Sequence, residues 1–273
     1  MRSIPAEATA RTVRSDHTAT VVAAGTTAAT LAAICHETLG HGLGCIAVGG
    51  RITLLTSIWF RCNEATSLTD AGGPIASLVG GVVAILLLSL KIRSPVTRLV
   101  LILFGAISLF WFAAQLIDHP MVDRDDWAFI ARRMEWPWVW RPIMVAVGVA
   151  AYAATVRLMR AVLCRKGAPG RRAVLLAYAA AATSAIIAGL AWSIAPVSSA
   201  NEAFLTLGVA PLGLLVANRM ARRQPKDDAN DIANSHRPIP RSWTWIVAGT
   251  VLFGAFFAVQ GRGIGALASV GLP

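Results

Sequence analysis

Seven apolar segments separated by short polar connections constrain what this chain folds into. All but the sixth are close to or above the roughly 20 residues that cross a bilayer as a helix, while the sixth is short and contains Pro211. The segments cover residues 21–48, 72–90, 96–117, 142–163, 173–194, 203–218 and 243–260. Because backbone polar groups in lipid must be satisfied within each segment, the pattern predicts an all-α, polytopic membrane helical bundle of about seven transmembrane helices.

The composition favours a membrane setting. The chain of 273 residues is 56% hydrophobic and 14% charged, which is too little charge to cover a soluble domain of this length. Its net charge of +11 comes from basic residues in short connections, without a phosphate-cradling loop or an aromatic-basic motif. We therefore expect membrane lipids as partners and no nucleic acid. The first apolar segment is too long for a cleavable signal peptide, and we expect an integral protein of a bacterial plasma membrane.

The basic residues also predict an orientation. When successive connections are assigned to alternate sides, 18 of the 25 lysines and arginines lie on the side of the N-terminus. The positive-inside rule places that side in the cytoplasm, and seven spans then place the C-terminus outside. The polar connection 218–242 is expected to be a flexible cytoplasmic linker.

Two histidines and a glutamate stand inside the first apolar segment. Ionisable groups in a bilayer are costly, and they usually line a cavity, pair or bind something. His36, Glu37 and His41 are the residue types of a zinc hydrolase, in which imidazoles hold the metal and a carboxylate moves a proton. They predict a Zn²⁺ site. The alternative is a pair of helix-packing histidines with a buried, protonated glutamate.

The spacing of the two histidines departs from the usual zinc-hydrolase helix. His36 and His41 are five residues apart instead of four, so an ideal α-helix would leave their rings about 140° apart. Three arrangements remain open. A π-bulge would bring the rings to one side, the helix could break at Gly40 or Gly42, or Glu37 and His41 could be the coordinating pair.

A hydrolytic zinc needs a third protein ligand, and the connection 118–140 supplies candidates among four tryptophans. Asp126 is our choice because it directly precedes an amphipathic stretch at residues 127–134, and free backbone N–H groups hold a carboxylate at a helix start. The alternatives are Asp118, His119, Asp123 and Asp125.

Two stretches carry a family resemblance. Residues 36–42 (His-Glu-Thr-Leu-Gly-His-Gly) resemble the His-Glu…Gly-His helix of the site-2 protease-like intramembrane zinc metallopeptidases. Residues 71–77 (Ala-Gly-Gly-Pro-Ile-Ala-Ser) resemble the Ala-Gly-Pro-x-x-Asn stretch that follows in that family. The chain is more similar to a bacterial branch with a His-Glu-x-x-Gly-His-Gly helix, a later Gly-Gly and an Asp-Trp, which here are Gly49-Gly50 and Asp126-Trp127.

The resemblance covers residues 31–131 of a single integral domain, which would also contain a cytoplasmic tail (1–20) and additional spans (142–260). It implies that His36, His41 and Asp126 bind zinc and that Glu37 is the catalytic base. The chain departs from the family in three places. One residue is added between the histidines, Ser77 replaces the usual asparagine, and the Leu-Asp-Gly motif is absent.

Glycines and cysteines give further expectations. Four glycines of the second segment predict close approach to the first helix, with substrate binding near Gly73-Pro74 as a lesser alternative. They are Gly72, Gly73, Gly80 and Gly81. Cys45 and Cys62 flank the first outer loop and are either a disulfide or two buried thiols. Cys35 is either a soft metal ligand or a small apolar filler.

Three functions remain. The first is a membrane zinc metallopeptidase that acts on a peptide or membrane-protein substrate at or near the outer surface. The second is an inactive scaffold or chaperone that retains a degenerate site, which the altered histidine spacing and the missing Leu-Asp-Gly motif favour. The third is a proton-coupled transporter that uses Glu37, His36 and His41 as a relay.

Overall fold

The computed structural model describes residues 15–221 and 237–265, and helices dominate both ranges. The α-helices are α1 (Thr18–Ala33), α2 (Leu43–Ala47), α3 (Ser67–Leu87), α4 (Pro95–Val122), α5 (Asp125–Arg133), α6 (Trp140–Leu163), α7 (Arg171–Leu190), α8 (Pro196–Phe204), α9 (Leu212–Met220) and α10 (Trp243–Phe256). Three π-helical segments cover Ile34–Gly42, Leu205–Val209 and Phe257–Gly261. The strands β1 (Ile52–Leu55) and β2 (Phe60–Cys62) form an antiparallel hairpin.

The predicted architecture is confirmed. Within the described residues, seven helices are long and apolar enough to cross a membrane, which fits an integral membrane protein. They cover Thr18–Ala47, Ser67–Leu87, Pro95–Val122, Trp140–Leu163, Arg171–Leu190, Pro196–Met220 and Trp243–Gly261. Most of the predicted linker 218–242 and of the predicted tail 1–20 lies outside the described residues.

Three span boundaries differ from the prediction by five residues or more. The second span begins at Ser67, five residues before the predicted start, because Thr66 caps it by accepting a hydrogen bond from the backbone N–H of Thr69. The third continues beyond residue 117 to Val122, and Asp123 then ends it in a left-handed conformation. The sixth is a full span from Pro196, because α8 and a π segment precede Pro211, which caps α9.

Helix α4 forms the centre of the bundle. Its buried face includes Leu99, Leu103 and Phe110, and it packs against α1, α3 and α6. Helix α1 packs in turn against α7 and α10. The first span therefore lies between several helices, and the polar residues near its end are shielded from lipid.

The first and second spans approach each other closely at Gly72 and Gly73, as predicted, whereas Gly81 faces Leu109 of α4. A Cβ atom on Gly40 would lie 2.6 Å from the Cα of Gly73, and one on Gly72 would lie 2.4 Å from the carbonyl oxygen of Gly40. Small residues allow this backbone-to-backbone packing. The contact places the start of α3 directly against the histidine segment.

The hairpin lies at the end of the first span. Cys45 at the end of α2 is bonded to Cys62 of β2, so the disulfide alternative of the prediction is the one found. On the other edge, Leu55 of β1 exchanges two backbone hydrogen bonds with Ile264, which follows the last span. The hairpin is thus held at both edges, and its strand β2 lies against His41.

Candidate metal centre

Residues Ile34–Gly42 form a continuous π-helical segment in the second half of the first span, and we call it the π segment. Its i→i+5 hydrogen bonding places residues five apart on the same side. The first of the three predicted arrangements is therefore correct. The helix does not break at Gly40 or Gly42, because both lie inside the segment and α2 continues from it.

Three side chains converge beside this segment. His36 and His41 approach with their Nε2 atoms 3.3 Å apart. Oδ2 of Asp126 lies 3.6 Å from Nε2 of His36, and Oδ1 lies 3.4 Å from Nε2 of His41. One donor atom from each residue falls within 4.8 Å of the others, so this largely buried group could hold a metal ion. These are the three ligands predicted from the sequence.

Gly73 of α3 faces the donor atoms. A Cβ atom at this position would lie 2.2 Å from Nε2 of His41 and 2.6 Å from Nε2 of His36. Any side chain larger than hydrogen would therefore occupy the space between the imidazoles. Gly73 has a role beyond helix packing, because it leaves this space open.

The Nδ1 atoms of both imidazoles, which face away from the convergent Nε2 atoms, form hydrogen bonds with residues of α3. Nδ1 of His41 donates to the carbonyl oxygen of Thr69 at 2.7 Å, which directs Nε2 at the centre. Nδ1 of His36 shares a hydrogen bond with Oγ of Ser77 at 2.9 Å. Ser77 therefore orients a predicted ligand.

Aromatic rings fix the planes of the imidazoles. His36 stacks on Trp111 of α4, with ring centroids 4.0 Å apart. His41 stacks on Phe60 of β2 at 5.4 Å. Since Phe60 is two residues from Cys62, the disulfide restrains the strand that covers His41.

Asp126 reaches the histidines from the first turn of α5. Nε2 of Gln115 in α4 donates to its Oδ2 at 3.1 Å. Helix α5 is held in place by an ion pair at 2.9 Å between Arg133 and Asp70 of α3. Its start is held by the backbone N–H of Trp127, which donates to Nδ1 of His119 at 3.3 Å.

Burial disfavours the charged form of the Asp126 carboxyl. The neighbouring imidazole of His41 and the close approach of Nε2 of both histidines, at 3.4 and 3.6 Å, more than offset this effect, so the pKa of Asp126 lies well below its ordinary value.

The four alternative ligands lie outside the convergent group. Asp118 is exposed on α4, and Asp123 forms ion pairs with two arginines at 2.9 and 3.3 Å. Asp125 pairs with Arg124 at 3.7 Å, and its pKa is raised to about 6 by burial and by the adjacent Asp126.

Two further expectations concern Glu37 and Cys35. Glu37 is buried in the π segment next to His36, but it is not among the three convergent donors, so the Glu37–His41 pair is not the set that the fold brings together. Cys35 is not in the set either, because its thiol donates to the carbonyl oxygen of Ala76 at 3.3 Å. The apolar filler is thus the better description of Cys35.

Sequence reasoning missed the residues that support the ligands. Gln115 is a lone amide inside an apolar helix, and that contrast was a readable signal. The carbonyl oxygen of Thr69 carries no signal, because every residue has one. No known protein family, curated protein or solved structure matches this chain.

Proposed function

We propose that this protein is an integral membrane zinc metallopeptidase that hydrolyses peptide bonds at or near the membrane surface. The observation that carries the proposal is the convergence of His36, His41 and Asp126 beside Gly73. Two imidazoles and one carboxylate also leave one position of a tetrahedral zinc open for water, as in catalytic zinc sites.

The donor separations fit this metal. Ligands bonded to a tetrahedral zinc at ~2.0–2.2 Å are separated from one another by roughly 3.3–3.6 Å. The two Nε2 atoms are 3.3 Å apart, and each lies close to a different oxygen of Asp126, at 3.4 Å from Oδ1 for His41 and at 3.6 Å from Oδ2 for His36. The outer nitrogen of each histidine has its own partner, as is usual for metal-binding imidazoles.

A bound zinc would polarise a substrate carbonyl and lower the pKa of a bound water to about 7. The chain's own residues supply the rest. Thr69 and Ser77 hold the imidazoles, and Gln115 holds the carboxylate of Asp126. Under the proposal Glu37 takes a proton from the attacking water as that oxygen bonds to the carbonyl carbon. The C–N bond then breaks, and the proton passes to the leaving amine nitrogen.

One observation favours an inactive scaffold as the second candidate. The donors lie within hydrogen-bonding distance of one another, so the cluster is also satisfied as a buried polar network. Such a network would fix the packing of α3, α4 and α5 without chemistry. The two candidates differ in what Glu37 must do.

The test is metal analysis of the protein purified in detergent, followed by mass spectrometry of model transmembrane peptides incubated with it in vesicles. We expect about one zinc per chain in the wild type and in Glu37→Gln, and little in His41→Ala or Asp126→Asn. The matched control is His17→Asn, because His17 caps α1 at its other end. Peptide cleavage should be lost in Glu37→Gln and retained in His17→Asn.

Two results would contradict the proposal in different ways. A wild-type protein without metal, even after zinc is added, would remove the metal centre altogether. Stoichiometric zinc in a protein that cleaves none of the peptides, together with an unchanged cellular phenotype of Glu37→Gln, would favour the scaffold.

A further inference from the structure

Gln115 is the one amide side chain that reaches the donor cluster within the described residues. It projects from the last third of α4 and is buried. Its Nε2 lies 3.1 Å from Oδ2 of Asp126 and 3.5 Å from Nε2 of His36. The NH₂ group of the amide faces the carboxylate and donates to it, so Oε1 is the free end of the side chain.

The carbonyl oxygen of this amide, Oε1, accepts no hydrogen bond from the part of the chain that the structure describes. Oε1 of Gln115 is fully buried and has no hydrogen-bond partner among the described residues. Because the nitrogen and oxygen of a carboxamide are about 2.3 Å apart, Oε1 stays within about 6 Å of Nε2 of His36. A buried acceptor without a partner is costly, so its presence beside a cluster of possible ligands requires an explanation.

We propose that Gln115 is a substrate-recognising and positioning residue of the metal centre, and the proposal rests on the function proposed above. Its NH₂ group holds the carboxylate of Asp126 in the ligating orientation. Its free Oε1 accepts a hydrogen bond from an N–H group of the peptide bound beside the metal. The orphaned acceptor thus gains its partner only when a ligand with a donor enters the site.

Two hydroxamates test this without any need for peptide hydrolysis. Acetohydroxamate carries an N–H group, whereas N-methylacetohydroxamate lacks it, and both chelate the metal through oxygen. Cobalt(II) replaces zinc as a visible probe, and the binding of each hydroxamate is followed by the change in the cobalt absorption spectrum. The variants are Gln115→Leu and the less disruptive Gln115→Met.

The matched control is Gln260→Leu. Gln260 is also a buried amide in a membrane span, and its Nε2 donates to Oγ1 of Thr38 in the same π segment at 2.7 Å. It therefore supports the π segment without belonging to the donor cluster. If loss of a buried amide acted only through the structure, it would weaken the binding of both hydroxamates equally.

We expect the wild type and Gln260→Leu to bind acetohydroxamate about fivefold more tightly than the N-methyl form, as one hydrogen bond allows. Both Gln115 variants should lose this preference and bind cobalt roughly tenfold more weakly. A preference unchanged in both Gln115 variants would overturn the role of Gln115 alone. A wild-type protein that binds no cobalt would overturn the metal centre as well, so the two failures are distinguishable.

Discussion

Nε2 of His36 lies 3.3 Å from Nε2 of His41, although the two residues are five apart on one helix. A regular α-helix would turn these rings about 140° away from each other. The π segment removes this difference and directs both imidazoles at Asp126. The irregular helix is thus a structural requirement of the cluster, consistent with the tendency of π-bulges to mark functional sites.

Replacement of Gly73 by alanine should fill the space between the two imidazoles and weaken metal binding. The new methyl group would lie 2.2 Å from Nε2 of His41, so the imidazoles must move apart. We expect Gly73→Ala to bind zinc at least tenfold more weakly, measured by competition with a chromogenic chelator. Gly254→Ala is the matched control, because a Cβ atom there meets nothing within 4 Å. Equal zinc affinity in the two variants would show that the space beside Gly73 is not the metal position.

Zinc should stabilise the folded protein through the same three residues. A ligand that binds only the folded state at one hundred times its Kd contributes ~2.7 kcal/mol. Removal of metal with a chelator should therefore lower the melting temperature of the wild type, and zinc should restore it. His41→Ala should show neither change. A zinc-dependent shift that persists in His41→Ala would place the metal elsewhere.

The Cys45–Cys62 disulfide should contribute to both stability and the site. It closes a sequence separation of 17 residues, for which the loop-entropy relation gives about 3 kcal/mol. We expect the double variant Cys45→Ala/Cys62→Ala to melt at a lower temperature and to bind zinc more weakly, because Phe60 is released from His41. Cys164→Ala is the control, since that cysteine is free and lies at the end of α6. Alkylation of both cysteines in unreduced, denatured protein would exclude the bond.

The ion pair between Arg133 and Asp70 should matter modestly. It ties α5, which carries Asp126, to the start of α3, but Arg133 is partly exposed and the pair is correspondingly weakened by solvent. We expect Arg133→Met to weaken zinc binding a few-fold. Arg132→Met is the neighbouring control, because Arg132 pairs with the exposed Asp123. Recovery of affinity in the exchanged pair Asp70→Arg/Arg133→Asp would support the docking role, and equal effects of both single variants would contradict it.

The membrane orientation is open to a direct test. A reporter fused after Arg172 should be cytoplasmic, and one fused after Glu64 or after Pro273 should be external. The reason is that 18 of the 25 basic residues lie on the same side of the spans as the N-terminus and Arg172. A cytoplasmic signal from the Glu64 fusion would invert the proposed topology and place the metal centre at the inner surface.

Hydropathy alone was sufficient to predict the seven spans. Each span must satisfy its own backbone hydrogen bonds in lipid, so it can be recognised from a continuous apolar stretch of its own residues. The same local logic identified His36 and His41 as costly residues that needed a partner. It also favoured Asp126, since a carboxylate in the first turn of a helix is locally stabilised.

Only the tertiary structure decided how these residues are used. The choice of a π segment over a broken helix depends on packing against α3, and the selection of Asp126 over its acidic neighbours depends on how α5 is docked. Ser77 and Gln115 meet His36 across 41 and 79 residues of sequence. Contacts at such separations are set by the packing of whole helices, which local periodicity does not encode. The sequence by itself thus determined the spans and the candidate ligands, and the fold determined their geometry.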